Sequence, residues 1–281
     1  RRDGSEIEPV LTGGMDNPVD VTFTATGERI LSCTFLQRPG GGLRDGLIHA
    51  VYGGIWGKVN PVIDAPVHKW TGPGVMPPLL HMGPAAPSGL VCAESAAMGD
   101  DVEGNLFACY FNLHKVSRHA LTPTGSTFTT TDQDFVTSPD LDFHPTDVVE
   151  DGDGSLLVID TGGWYKLCCP TSQLSKPDEL GGVYRVRRQG AARVADPYGK
   201  LVEWKKLKTP ELIGMLGDSR PAVRRRAVEM LGKAGAEAAG DMIEAVQRSR
   251  SMDVRRNVIW ASARIDAPET RAVARTALSD G

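Results

Sequence analysis

A spaced pattern of four residues recurs along the chain. Pro18, Asp20, Val21 and Gly27 in NPVDVTFTATGERILSC return as Pro145, Asp147, Val148 and Gly154 in HPTDVVEDGDGSLLVID, each 127 positions on. In both copies an apolar run reaches a Gly-containing turn and a second apolar run follows, which is the grammar of a β-hairpin. A fainter copy starts at Pro87 (PSGLVCAES) and continues in GNLFACYF, Gly104 to Phe111. After the copy at Pro145, Thr146 to Val149 and Leu156 to Ile159 flank the turn Asp151 to Gly154, and Val183 to Val186 supplies a third β-rich run. The starts at 18, 87 and 145 are 69 and 58 residues apart, longer than a minimal propeller blade of about 40–50 residues, so long loops are expected. About three blades and a trailing edge follow from this count, too few to close a ring of roughly four to eight. An open β-sandwich with similar turns is the alternative.

Composition divides the chain. Residues 201–281 carry 15 Lys and Arg against 11 Asp and Glu, a net of +4, and the rest a net of −8. Of 32 Gly and 19 Pro, 26 and 16 fall in the first 200 residues. A turn-rich acidic part therefore precedes a turn-poor, mildly basic one, and the reading is a β part over 1–190, a linker over 191–207 and helices over 208–281. Thr209 is the expected N-cap of a helix with Pro210 at N1, and Asp218 or Ser219 caps the next. Val223, Ala227, Val228 and Leu231 have helical spacing. Val223-Arg224-Arg225 returns as Val254-Arg255-Arg256, 31 residues later. Helix pairs at such a period stack as an α-solenoid, and these resemble HEAT repeats, roughly two and a half units.

The run Arg224 to Arg226 is expected to be a solvated helix face and not a nucleic-acid site, since the chain is acidic overall. No run of 18 apolar residues exists to cross a membrane as a helix. The chain opens Arg1-Arg2 rather than Met and reads as a fragment or processed product, with any leader or anchor upstream. Its five cysteines match neither a zinc spacing nor a CxxCH haem site.

Candidate chemistry concentrates after the last hairpin, in GWYKLCCPTSQ, where a blade sends a loop to the face of the molecule. Cys168-Cys169 either forms a strained vicinal disulfide, a rigid platform beneath a planar cofactor or sugar, or consists of one buried and one free thiol. Trp164 and Tyr165 suit sugar stacking or plug a blade top. Asp147 and Asp160 either ligate Ca²⁺ or cap turns. His144, His81 and His49 are each a candidate base for a hydroxyl proton, or structural. The stretch 43–89, with His49, His68 and His81, is expected to be a long, ordered, functional loop. No paired-carboxylate or nucleophile motif suggests a hydrolase.

The runs NPVDVTF, RDGLIHAVYGG, FNLHKVSRH, FHPTDVVEDGDGSLLVIDTGGWYKLCCPTSQ and YRVRR, followed by HEAT-like helices, resemble the membrane-bound dehydrogenase-like proteins of planctomycete and verrucomicrobial bacteria. In these a propeller akin to soluble quinoprotein glucose/sorbosone dehydrogenases precedes HEAT repeats and often a cytochrome c domain. The resemblance implies a partial, six-bladed-type β-propeller followed by an α-solenoid. It also implies oxidation of a sugar or alcohol by pyrroloquinoline quinone with Ca²⁺, a cytochrome c-type electron acceptor outside this chain, and an exported, periplasmic or membrane-associated location. A protein partner through the HEAT-like region is also expected. Asn17 matches the Asn of the family's Arg-Asn-Pro cofactor motif, with Asp16 in place of Arg. His144 and Thr146 stand where arginines would pair with the quinone carboxylates, and His144 is the candidate base. The alternative is a propeller without redox chemistry that binds glycans or proteins.

Overall fold

The structure is a computed structural model that describes residues 4–15, 17–34, 36, 43–58, 71–164 and 175–279. The chain forms two compact units, residues 1–151 with 155–188, and 189–281 with the turn Gly152–Gly154.

The first unit is built of antiparallel sheets. Strands β1 (Thr12–Gly14), β2 (Asn17–Phe23), β3 (Arg29–Thr34), β4 (Asp45–His49), β5 (Ile55–Gly57) and β6 (Leu80–Gly83) come first. Then follow β7 (Pro87–Cys92), β8 (Leu106–Tyr110), β9 (Lys115–Thr124), β10 (Thr127–Thr137), β11 (Pro145–Glu150), β12 (Leu156–Trp164) and β13 (Ser175–Val186). The first sheet has the order β2-β3-β4-β6, the second β7-β8-β9-β10 and the third β11-β12-β13, with β1 and β5 a short parallel pair. Among the described residues the sheets do not close into a ring. The long segment 43–89 is partly sheet, contributing β4, β5 and β6, while His68 lies outside the described residues.

Each sheet opens at or beside one of the three prolines of the repeat, and each first strand has the same defect. The register slips between Pro18 and Asp20, between Pro87 and Leu90, and between Pro145 and Asp147. Proline donates no ladder hydrogen bond and is tolerated at a strand start next to a bulge. The sequence repeat is thus a bulge signature, and it turns the following residue towards the neighbouring sheet.

The sheets stack through their faces. Ile30 and Leu47 of the first pack with Leu90, Cys92, Leu106 and Ala108 of the second. Phe107, Cys109 and Val116 of the second pack with Val148, Leu156 and Val158 of the third. Strand β8 is buried on both sides, so all five of its residues are apolar. Side chains reach across as well, with the Leu90 N–H donating to Asp20 Oδ2 (2.8 Å) and the Cys92 N–H to Thr22 Oγ1 (3.0 Å). The first strand of a sheet would otherwise present an unsatisfied edge.

The second unit has helices α1 (Thr209–Gly214), α2 (Pro221–Ala234), α3 (Ala239–Arg248), α4 (Met252–Ser262) and α5 (Pro268–Ala277). Helices α1, α3 and α5 contact in succession, as do α2 and α4, giving two stacked layers. Val223, Ala227, Val228 and Leu231 are all buried between them. Val202, Trp204 and Leu207 pack into the same core, so the run before α1 is part of the helical unit. The helix starts differ from the expected caps. Lys208, not Thr209, is the N-cap of α1, its N–H donating to Glu211 Oε2 (2.8 Å), and Arg220 is the N-cap of α2. Asp218 lies two residues further out and grips the Arg220 guanidinium with both oxygens, each at 2.8 Å. No helix among the described residues is long and apolar enough to cross a membrane.

Candidate functional site

His144 sits at the entrance to the third sheet, buried to 4% exposure. Its Nδ1 lies 3.0 Å from the Asp142 carbonyl and 2.9 Å from the Gly162 carbonyl. Both partners only accept, so Nδ1 carries a proton, and of the two ring nitrogens Nε2 is the one that can act as a base. The ring is held by Phe111, at 4.6 Å between centroids, and edge-on by His114 at 5.2 Å. His114 occupies the left-handed region (φ 53°) at the end of the turn Phe111–Leu113. Its own Nδ1 is tied to the Phe143 carbonyl at 2.9 Å. Two imidazoles are thus oriented by main-chain carbonyls at one place.

Asp160 anchors this geometry. Its Oδ1 accepts the N–H groups of His144 and Gly162, each at 2.8 Å, and its Oδ2 lies 3.5 Å from the Tyr184 hydroxyl. A carboxylate that caps two backbone donors is a turn clasp. Gly162 has φ +62°, and a Cβ there would fall 2.6 Å from the Glu179 carbonyl oxygen, so only glycine fits. At the rim, Lys176 Nζ holds Asp142 with contacts of 2.9 and 2.7 Å, which raises the Lys176 pKa chiefly through that hydrogen bond.

The other sequence candidates lie apart from this cluster or outside the described residues. Asp147 Oδ1 accepts its own Val148 N–H (2.8 Å), and its backbone is pressed against Gly89 of the second sheet. Thr146 Oγ1 donates to the Ile159 carbonyl at 3.2 Å. Asn17 opens β2, opposite Thr34. Trp164 ends β12 opposite Ser175, and nothing is described of its side chain. Asp16, Tyr165, Cys168 and Cys169 lie outside the described residues. His49 is a structural link, with Nε2 2.8 Å from Glu28 and Nδ1 3.0 Å from Thr127 of the second sheet. His81 is exposed on β6. Cys33, Cys92 and Cys109 are buried free thiols, and burial, followed by Glu94, pushes the Cys92 thiol up to about 12. Such thiols are unreactive.

Phe111, His114, Asp142, Lys176 and Tyr184 were not among the sequence candidates. The run FNLHKVSRH contained the first two, but only the fold brings them to His144.

A quinone tricarboxylate calls for cationic forks, and Ca²⁺ for several oxygen ligands. The cation described beside His144 is Lys176, already paired with Asp142, and Asp160 Oδ1 is occupied by two N–H groups. Among the described residues no group of three or more His, Cys, Asp or Glu could hold a metal. The described residues therefore do not fit pyrroloquinoline quinone with Ca²⁺.

The helical unit carries a separate open groove of about 500 Å³, with Ile213, Ala245 and Val254 as its apolar part and Asp241, Glu244 and Arg248 as its charged part.

Two family models match the chain. One, described as a domain of unknown function (DUF7133), covers residues 78–201, and the other, HEAT repeats, covers residues 209–281. Similar solved structures include an oxidoreductase of the glucose dehydrogenase kind from Thermus thermophilus, at 19% identity and TM-score 0.37. That match covers 51% of this chain and 38% of the other. Two structures described as glucose dehydrogenase match at 18% identity and TM-score 0.40, covering 64% of this chain and 45% and 46% of theirs. The chain thus spans less than half the length of each of these structures. No curated protein matches. The chain is a mostly β-sheet domain followed by a helical region that matches HEAT repeats.

Proposed function

We propose that the β-sheet unit is a segment of a dehydrogenase-type propeller, six-bladed in its full form, that takes a hydroxyl group of a sugar or related alcohol at His144. The observation that carries this reading is the His144 tautomer. Two carbonyls fix a proton on Nδ1, which makes Nε2 the ring nitrogen with the chemistry to accept a hydroxyl proton. Asp160 sets the backbone of His144, and Phe111 and His114 set its ring plane. His144 is the proton acceptor, and Asp160 and His114 are positioning residues.

The hydride acceptor is not assigned to the described residues, since these do not fit the quinone. The same observation favours a second reading, a propeller that binds glycans or proteins without redox chemistry. The helical unit then supplies a protein-docking surface, and an exported location accompanies either reading.

Dye reduction separates the two. The protein would be incubated with pyrroloquinoline quinone and Ca²⁺, and sugars and alcohols screened for substrate-dependent reduction of an electron-accepting dye. Activity that falls roughly a hundredfold or more in His144→Gln supports the first reading. Failure to bind the quinone at concentrations well above micromolar removes the redox reading and leaves recognition.

A further inference from the structure

Gly214 keeps the groove of the helical unit open. It closes α1 with ordinary helical backbone (φ −56°, ψ −38°), so no left-handed turn requires glycine there. Packing does not require it either, because a Cβ at Gly214 would meet nothing within 4 Å. Glycine at a helical position weakens the helix relative to alanine or leucine. The missing side chain leaves a gap in front of Ile213 of α1, Ala245 of α3 and Val254 of α4, which together form the apolar wall of the groove.

The charge of the groove runs against that of its unit. Residues 201–281 are net +4, yet the charged side chains that line the groove are Asp241, Glu244 and Arg248. Glu244 Oε1 takes the Arg248 guanidinium at 2.7 Å, one turn along α3, so these two cancel. Asp241 is half-buried and has no hydrogen bond or ion pair among the described residues. An uncompensated carboxylate beside an apolar wall selects a cation that is carried next to apolar surface.

Pockets for small ligands enclose roughly 70–90% of the ligand surface, which an open groove does not, and a chain segment laid across it is the better fit. We propose that the groove receives a peptide segment of a partner protein in which a lysine or arginine stands next to an aliphatic residue. The aliphatic side chain lies over Gly214 against Ile213, Ala245 and Val254, and the cation meets Asp241. A second copy docked through the same groove about a two-fold axis would bring two Asp241 carboxylates together, which disfavours it. The inference rests on the reading of the helical unit as a protein-docking surface and is independent of His144.

An array of short synthetic peptides tests it, with basic-aliphatic, acidic-aliphatic and basic-serine pairs set in one Gly-Ser background. The intact labelled chain is the probe, and hits are titrated by fluorescence anisotropy. The expected result is binding of the basic-aliphatic peptides, with the other two classes weaker by about tenfold or more. Gly214→Leu fills the groove and lowers the affinity of the hits about tenfold or more, while its melting temperature stays at or above the native one. Asp241→Asn lowers it about fivefold and removes most of its salt dependence, and this variant carries the test if Gly214→Leu melts early. Hits that neither substitution weakens leave a docking surface elsewhere and overturn the groove alone. Equal binding of acidic-aliphatic peptides, or self-association of the chain that Gly214→Leu abolishes, also overturns the proposal. No binding across the array removes the docking reading with it.

Discussion

Replacing Asp160 by Ala strands two backbone donors, the N–H groups of His144 and Gly162, in a buried place. An unsatisfied buried donor costs about 1–3 kcal/mol, so the expected loss is at least about 2 kcal/mol, read as a lower urea midpoint for the β-sheet unit by tryptophan fluorescence. Asp160→Asn keeps one acceptor oxygen, enough for both N–H groups that Oδ1 now holds, and is expected to lose clearly less than Asp160→Ala. Unchanged midpoints would show that the clasp carries no stability. Gly89→Ala tests a second close approach, since a Cβ there overlaps the Asp147 carboxylate and backbone. A cost of about 1–3 kcal/mol is expected, typical of overpacking. His144 was legible as a candidate from its place beside the hairpin, but its tautomer was not, because Gly162 and Asp142 reach it only through the fold. Asp160 reads from the sequence as a turn cap before a calcium ligand, and its two backbone donors favour the turn. His114 carried no signal of its own, since a histidine after a short turn becomes informative only when another ring is placed against it.

At the level of elements, one arginine per helical repeat has a fixed task. Arg224 Nη1 donates to the Asp218 carbonyl at 2.9 Å, and Arg255 Nη1 to the Ser249 carbonyl at 2.9 Å, each six residues back in the preceding loop. Arg224 is therefore a loop clamp within a run expected to be a solvated face. Arg224→Ala and Arg255→Ala should each lower the stability of the helical unit by about 1 kcal/mol, measured by thermal melting at 222 nm, with exposed Arg250→Ala as a near-neutral reference. Equal melts for all three would refute the clamp. The hydrogen bond from Arg220, then their charge attraction, holds the Asp218 carboxyl below the usual carboxylate range. A depressed folded value means the pair stabilises above the unfolded value of about 3.9 and is lost as pH falls through the folded value. Below about pH 4 the helical unit should therefore lose stability, and Asp218→Asn should flatten that fall. The helical spacing and the 31-residue repeat were legible because apolar periodicity is a property of the chain itself. The caps were misplaced by one or two residues, because proline fits either of the first two helical positions: Pro210 stands second in α1 and Pro221 first in α2. The strands were placed correctly but drawn short, since polar residues at the ends of β12 and β13 are held by cross-strand pairing.

Across the whole chain, the change in glycine, proline and charge between the two parts follows the change from sheets to helices. The prolines at 18, 87 and 145 mark where the three sheets begin. What the sequence could not reveal is the direction of stacking, which depends on bulges that turn Asp20 towards the second sheet and set Asp147 close against Gly89. The functional account rests on His144 receiving a hydroxyl group, and binding tests that without presuming a cofactor. Isothermal titration of the intact chain against a panel of sugars and polyols, in parallel with His144→Gln of unchanged thermal stability, is the direct measurement. The account predicts saturable binding of at least one hydroxylated ligand by the native protein, weakened about tenfold or more by the substitution. Absence of binding across the panel, or equal affinity in the two proteins, would contradict it.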